Sequence, residues 1–245
     1  MRTLCGVAFS ISLALSQAHA AGTVNVYVSG DSKAKTLTNA AHLIDVVGQP
    51  RLAQSWWPGA VISERQATAA QEQRQQSLLA QLDVLAGEES GDSAAAVSAL
   101  RRQLQEIRVT GRQKVNLDPD YVRVASGANP PLEGEYSLWT GPQPTTITVV
   151  GLVSQPGKKA FTPGRDVVSY LDEMSVLSGG DKSYAWVIYP NGDTQKVPVA
   201  YWNRRHVEPM PGSVIFVGFA PDLWGARNET LNADIIDSLT HRIPE

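Results

Sequence analysis

The sequence has 245 residues, of which 42% are hydrophobic and 18% charged, with a formal net charge of −3. Such a chain carries enough apolar material for one or two ordinary cores and lacks the low-hydropathy, high-charge signature of disorder. The acidic balance argues against non-specific polyanion binding, which needs a basic surface, so nucleic acid is not an expected partner.

Met1-Arg2, the apolar run from Leu4 to Leu15 and Ala18-His19-Ala20 before Ala21 form the basic, apolar and small-residue regions of a secretory signal peptide over 1–21. The mature chain is therefore expected to be exported. No later stretch reaches the roughly 20 apolar residues of a membrane span, so no transmembrane segment is expected in the mature chain. Cys5 is the only cysteine. It lies inside the leader with no apolar run before it, so neither lipid attachment nor an intramolecular disulfide is expected, and packing must carry stability.

Val24, Val26 and Val28 alternate as a strand into the turn Ser29-Gly30-Asp31. Leu37, Ala40, Ala41 and Ile44 then recur at helical spacing, which predicts a helix over 37–47 that stops near Gly48-Gln49-Pro50. Ser63-Glu64-Arg65-Gln66 reads as a capping box opening a Gln- and Ala-rich helix with Leu78, Leu82 and Leu85 in one stripe. After a break at Gly87 to Asp92, Val97, Leu100, Leu104 and Ile107 make the stripe of a second helix. The pair forms an antiparallel hairpin inserted over about 59–107. It is either an arm packed only on itself or, as short helices need tertiary burial, one that also packs on a neighbouring domain. The second reading is preferred.

From Arg108 to Leu117 the pattern predicts a strand. Val109, Gly111, Gln113, Val115 and Leu117 share one face, and Arg108, Thr110, Arg112 and Lys114 the other. Exposed, the basic face is ordinary soluble surface. Covered, it turns Arg112 into a partly enclosed guanidinium that needs carboxylate, carbonyl or ligand partners. Arg112 is thus the first binding candidate, with Arg108 and Lys114 beside it.

Flat tryptophan faces suit pyranose stacking, and Trp56-Trp57, Trp139, Trp186, Trp202 and Trp224 are the candidates. Buried or interface tryptophan is the commoner case, so no aromatic platform is assigned. Trp186 reads as core. Trp57, at the edge of the insert, joins the binding candidates.

Leu132 to Leu138 has the plan of Met210 to Phe216: an apolar residue, a glycine two positions on, then a strand. This suggests two copies of one small unit joined near Gly141-Pro142-Gln143-Pro144. In the second copy Ile147, Val149, Gly151 and Val153 alternate up to the turn Gln155-Pro156-Gly157. Val167, Val168 and Leu171 form a helical stripe ended by Ser178-Gly179-Gly180. Strands over 185–189 and 195–199 flank Pro190-Asn191-Gly192-Asp193, whose Asn-Gly pair suits a primed hairpin turn. Met210-Pro211-Gly212-Ser213 then turns into the wholly apolar, hence buried, strand Val214 to Val217. The tail from Asn228 to Arg242 is an amphipathic helix with Leu231, Ile235, Ile236 and Leu239 on one face, expected to dock on its own protein.

Val149-Val150-Gly151, Pro156-Gly157, Val168 with Leu171, Gly179-Gly180 and Pro211 to Val217 resemble the soluble-ligand-binding β-grasp domain of outer-membrane polysaccharide export proteins. Ser213 stands where the usual signature has an acidic residue. Over the whole chain the resemblance is closer to the GfcC family of periplasmic group 4 (O-antigen) capsule proteins. Thr110-Gly111-Arg112 is the piece that most resembles the family's pattern in its region. The resemblance implies an α+β fold of two tandem β-grasp (ubiquitin-like) domains, 22–143 and 144–220. The helical hairpin is then an insert in the first, and 221–245 a C-terminal amphipathic helix. It also implies a non-catalytic factor in capsular polysaccharide assembly or export. Its partners would be capsule export or assembly proteins of the envelope, or the polysaccharide.

Enzymatic chemistry finds little support in the residues. His42, His206 and His241 are far apart in sequence, so no metal site is expected, and no cofactor is implied. The mature chain has no thiol nucleophile and no Gly-x-Ser-x-Gly elbow. Asp118 with Asp120, or Glu133 with Glu135, would share a face if each pair lay in a strand, as a glycosidase pair requires. A polysaccharide-modifying enzyme or a free carbohydrate-binding module is accordingly the alternative reading.

Overall fold

The computed structural model describes residues 21–31, 33–222 and 226–244. The expected leader, except Ala21, and Trp224 fall outside the described residues.

The chain is α+β, with one four-stranded and one five-stranded mixed sheet. In the first, β1 (Gly22–Val28) runs parallel to β4 (Glu135–Thr140), with β2 (Lys35–Ala40) antiparallel outside β1 and β3 (Val61–Glu64) antiparallel outside β4. In the second, β5 (Thr146–Gly151) runs parallel to β9 (Val214–Val217), β6 (Gly157–Ala160) edges β5, and β7 (Tyr184–Ile188) edges β9. β8 (Thr194–Pro198) extends the second sheet beyond β7. The orders β2-β1-β4-β3 and β6-β5-β9-β7-β8 are therefore one plan used twice, with one extra edge strand the second time. Each copy also places a short helix after its opening hairpin: α1 (Leu43–Val47) in the first, α5 (Val167–Leu171) in the second.

Two strands differ from expectation in the same way. Residues 35–40 are β2 and not the first turn of a helix, which begins only at Leu43. β6 occupies a segment read only as the exit from a turn. Both are edge strands with at most one buried residue, so neither shows apolar alternation, and pairing with β1 or β5 decides their conformation. The turn after β7 also differs, because only Gly192 has positive φ (89°). Its N–H donates to the Tyr189 carbonyl at 3.0 Å, so the loop uses one left-handed glycine where the type I′ turn favoured by Asn-Gly needs two such residues.

The helical hairpin consists of α2 (Arg65–Glu88) and α3 (Gly91–Glu106) and stands between β3 and β4 in sequence. No capping box opens it. The N-cap is Glu64 without a side-chain cap bond, and Ser63 is a buried strand residue. Its apolar stripe does not stay with the first sheet. Leu78, Leu82, Leu85, Val97, Leu100 and Leu104 share one core with Val150, Ile188, Val214 and Phe216 of the second sheet. Helix α6 (Arg227–Thr240) brings Leu231, Ile235 and Leu239 into that same core, so the tail docks on its own protein as expected.

The opposite face of the second sheet is also covered. Ile147, Val149, Val187, Ile215 and Val217 pack there with Val167 and Tyr170 of α5. Being buried on both faces explains why β9 is apolar at every position. The first sheet is covered differently. Val24, Val26, Ile62 and Leu138 form a core with α1 on one face, while the hairpin from this same unit has gone to the other sheet.

Candidate functional site

The segment after α3 organises the junction of the two sheets. It is not a regular strand. Val109 bridges Arg242 and Arg112 bridges Ser63, so the backbone pairing passes from the C-terminal tail to β3 within the segment. Thr110 N–H donates to the His241 carbonyl, the Arg108 carbonyl accepts from Ile243, and Gln113 N–H donates to Ile62, each at 2.8 Å. Because the partner changes across Gly111, no continuous ladder forms. A cluster of three hydroxyls seats the segment: Thr110 Oγ1 donates to Ser63 Oγ at 2.7 Å and lies 3.1 Å from Thr68 Oγ1, which accepts from Gly111 N–H.

Arg112 meets the enclosed case set out from the sequence. Its guanidinium donates to the Pro190 carbonyl at 2.5 Å and to the Thr240 carbonyl at 3.2 Å, joining the first unit to the β7–β8 turn and to the end of α6. Burial lowers its pKa to about 10, opposed by the Asp193 carboxylate, so it remains charged at neutral pH. Its side chain is committed to the protein's own carbonyls.

The other three sequence candidates separate. Lys114 is exposed and lines a cleft of about 740 Å³ with Trp186, Lys196 and Asp237, whereas Trp57 packs on the first core. Arg108 is exposed, and among the described residues its side chain makes no hydrogen bond or ion pair. It lines three adjoining cavities of about 750, 280 and 370 Å³, and Arg112 lines the last of these with it.

The largest of the three lies over the free face of the first sheet. Parallel β1 and β4 place Thr23 opposite Glu135, Asn25 opposite Ser137 and Tyr27 opposite Trp139 on that face. The Tyr27 and Trp139 rings stack with centroids 5.3 Å apart and planes 9° from parallel. Asn25, Ser137 and Trp139 make the floor of the groove, and Arg65 and Glu72 of α2 rise on one side. Arg65 spans to Glu135 at 2.5 Å, a pair exposed at both ends. Beyond Trp139 the second cavity continues past Tyr27 and Trp56. Trp139 was one of several tryptophans in the sequence reading. Tyr27, Asn25 and Ser137 were missed, because their grouping depends on the register of two strands more than a hundred residues apart.

Two side-chain amides lock helices to strand ends by the same device. Gln103 of α3 donates to the Gly151 carbonyl at 3.1 Å and accepts from its N–H at 2.9 Å. Asn232 of α6 does likewise with Phe219, at 2.9 and 2.8 Å.

Fold and site together describe a two-sheet α+β protein with an open groove of mixed aromatic and polar lining between one sheet and a helical hairpin. Residues 20–143 match the family described as Capsule biosynthesis GfcC, N-terminal, and residues 155–244 match Capsule biosynthesis GfcC C-terminal. The chain belongs to the GfcC family of capsule biosynthesis proteins, and that membership supports a role in capsule assembly. It is 62% identical over 239 residues to the Escherichia coli (strain K12) protein described as "Uncharacterized protein YjbG", covering 98% of each chain. No helix among the described residues is long and apolar enough to cross a membrane.

Proposed function

We propose that this protein is a periplasmic, non-catalytic factor in capsular polysaccharide assembly or export, acting by binding the glycan or an envelope partner. The observation that carries the reading is the match of both halves of the chain to one capsule biosynthesis family. The leader-like start of the sequence supports the compartment. At least one acid of each candidate catalytic pair has a structural partner. Asp118 caps α4 (Pro119–Val124) by accepting from Asp120 N–H at 2.9 Å, and Glu135 is engaged by Arg65.

The test has two parts. Deleting the gene should reduce polymer at the cell surface, and plasmid-borne protein should restore it. Purified mature protein incubated with the isolated polysaccharide should leave its chain length unchanged on gel filtration. Unaltered surface polymer in the deletion strain would remove the proposed role, and shortening of the chain in vitro would replace binding with catalysis.

A further inference from the structure

The free face of the first sheet, with the groove above it, has properties that select a class of ligand. Its floor belongs to β4, which is hydrogen-bonded on both sides, to β1 and to β3. No row of free backbone N–H and C=O groups is offered there, so an added peptide strand has nothing to pair with. Recognition must come from ring faces and side-chain polar groups.

Those groups are of two kinds. Tyr27 and Trp139 stack on each other, each covering one ring face of its neighbour, and Tyr27 is 40% exposed. Around them stand Asn25, Ser137, Glu72 and the unpaired guanidinium of Arg108. Asn25 Oδ1 already accepts from Thr36 at 2.8 Å, which fixes the amide and leaves its NH₂ as the donor for other partners. A sugar ring has the complementary arrangement, one apolar C–H face bordered by hydroxyls. The groove is also open and continuous with the hollow past Tyr27 and Trp56, which suits a chain better than a single compact molecule.

We infer that this groove is a glycan-binding site in which a sugar ring packs on the exposed side of the stacked Tyr27–Trp139 pair and Arg108 donates hydrogen bonds to its oxygens. The inference rests on the proposed function for its biological setting and on the groove for its chemistry. Arg108 is a forked donor that serves either a carboxylate of an acidic sugar or a vicinal hydroxyl pair. Asn25 and Ser137 sit one register step along the floor, placed to meet the neighbouring residue of the chain.

The experiment passes the mature protein over an array of short bacterial surface oligosaccharides, neutral and uronic-acid-containing, and maps bound residues by amide chemical shifts. Retention is expected, with shifts at Tyr27, Arg108 and Trp139, and with about tenfold weaker binding in both Arg108→Gln and Trp139→Ala. Arg108 is exposed, so Arg108→Gln should fold even if loss of Trp139 disturbs the sheet. Loss confined to acidic sugars in Arg108→Gln identifies a carboxylate ligand, and loss across the array identifies hydroxyl recognition. No retention of any glycan, or retention unchanged in both variants, overturns the inference, and so do shifts at the groove elicited only by envelope protein. If the gene deletion removes surface polymer while Arg108→Gln and Trp139→Ala restore it fully, the groove assignment fails and the wider reading stands.

Discussion

At the scale of single residues, the close approach of Gly111 to α2 is a tight constraint beside Arg112. A β-carbon there would lie 2.3 Å from the backbone of Ala67 and Thr68. Gly111→Ala is expected to destabilise the protein by about 3 kcal/mol through overpacking, read as a lower urea midpoint at unchanged slope. Arg112→Ala leaves the Pro190 and Thr240 carbonyls without their donor and should cost about 1–3 kcal/mol. A fully stable Arg112→Ala protein would show that the guanidinium does not hold the two units together. His206 offers a pH test. Its hydrogen bond to the Glu208 carboxylate at 2.9 Å raises its pKa above the usual 6.5, while the same bond lowers that of Glu208 below 4.5. The stability from His206 is fully present below its unfolded pKa and lost as pH rises through its higher folded value. The Glu208 part is present above its unfolded pKa and lost as pH falls through its lower folded value. Both groups are exposed, so the effect on stability is small and salt-sensitive. In an NMR titration His206 should titrate above 6.5 and return toward that value in Glu208→Gln.

At the scale of elements, the strong apolar periodicities survived and the weak ones did not. The stripes of Leu78, Leu82 and Leu85, of Val97, Leu100 and Leu104, and of Leu231, Ile235 and Leu239 are all buried where a helix was expected. The edge strands β2 and β6 and the irregular return at 108–113 were not legible as such, because their conformation comes from backbone partners and not from their own side chains. Arg112 was legible as a residue that must find carbonyls if covered. That those carbonyls belong to Pro190 and Thr240 was not. The amide clamps were equally silent, since Gln103 and Asn232 look like surface residues of their helices. Gln103→Ala should cost about 1–2 kcal/mol and speed amide exchange at Gly151, because a backbone N–H and C=O lose their partner together. Unchanged exchange at Gly151 would show that solvent replaces the clamp without loss.

At the scale of the whole molecule, the core built by the hairpin, the second sheet and α6 joins segments from both halves of the chain. Leu100 is fully buried there. Leu100→Ala is expected to cost about 2–5 kcal/mol and to lower the denaturation midpoint followed by helix circular dichroism and by tryptophan fluorescence together. Separation of the two signals would mean that the hairpin melts independently of the sheets.

The sequence by itself determined the α+β class, the twofold plan of strands and helices, the amphipathic faces that had to be buried and the resemblance to a capsule family. Apart from the resemblance, these are properties of local spacing: a stripe every three or four residues, or an alternation every two, obliges an element to bury one side. Only the tertiary structure decided which surface each stripe covers. The hairpin inserted in the first unit lies on the second sheet, which leaves the Tyr27–Trp139 face of its own sheet open as a groove. That choice depends on matching surfaces contributed by segments far apart in the chain, and no window of neighbouring residues carries the information.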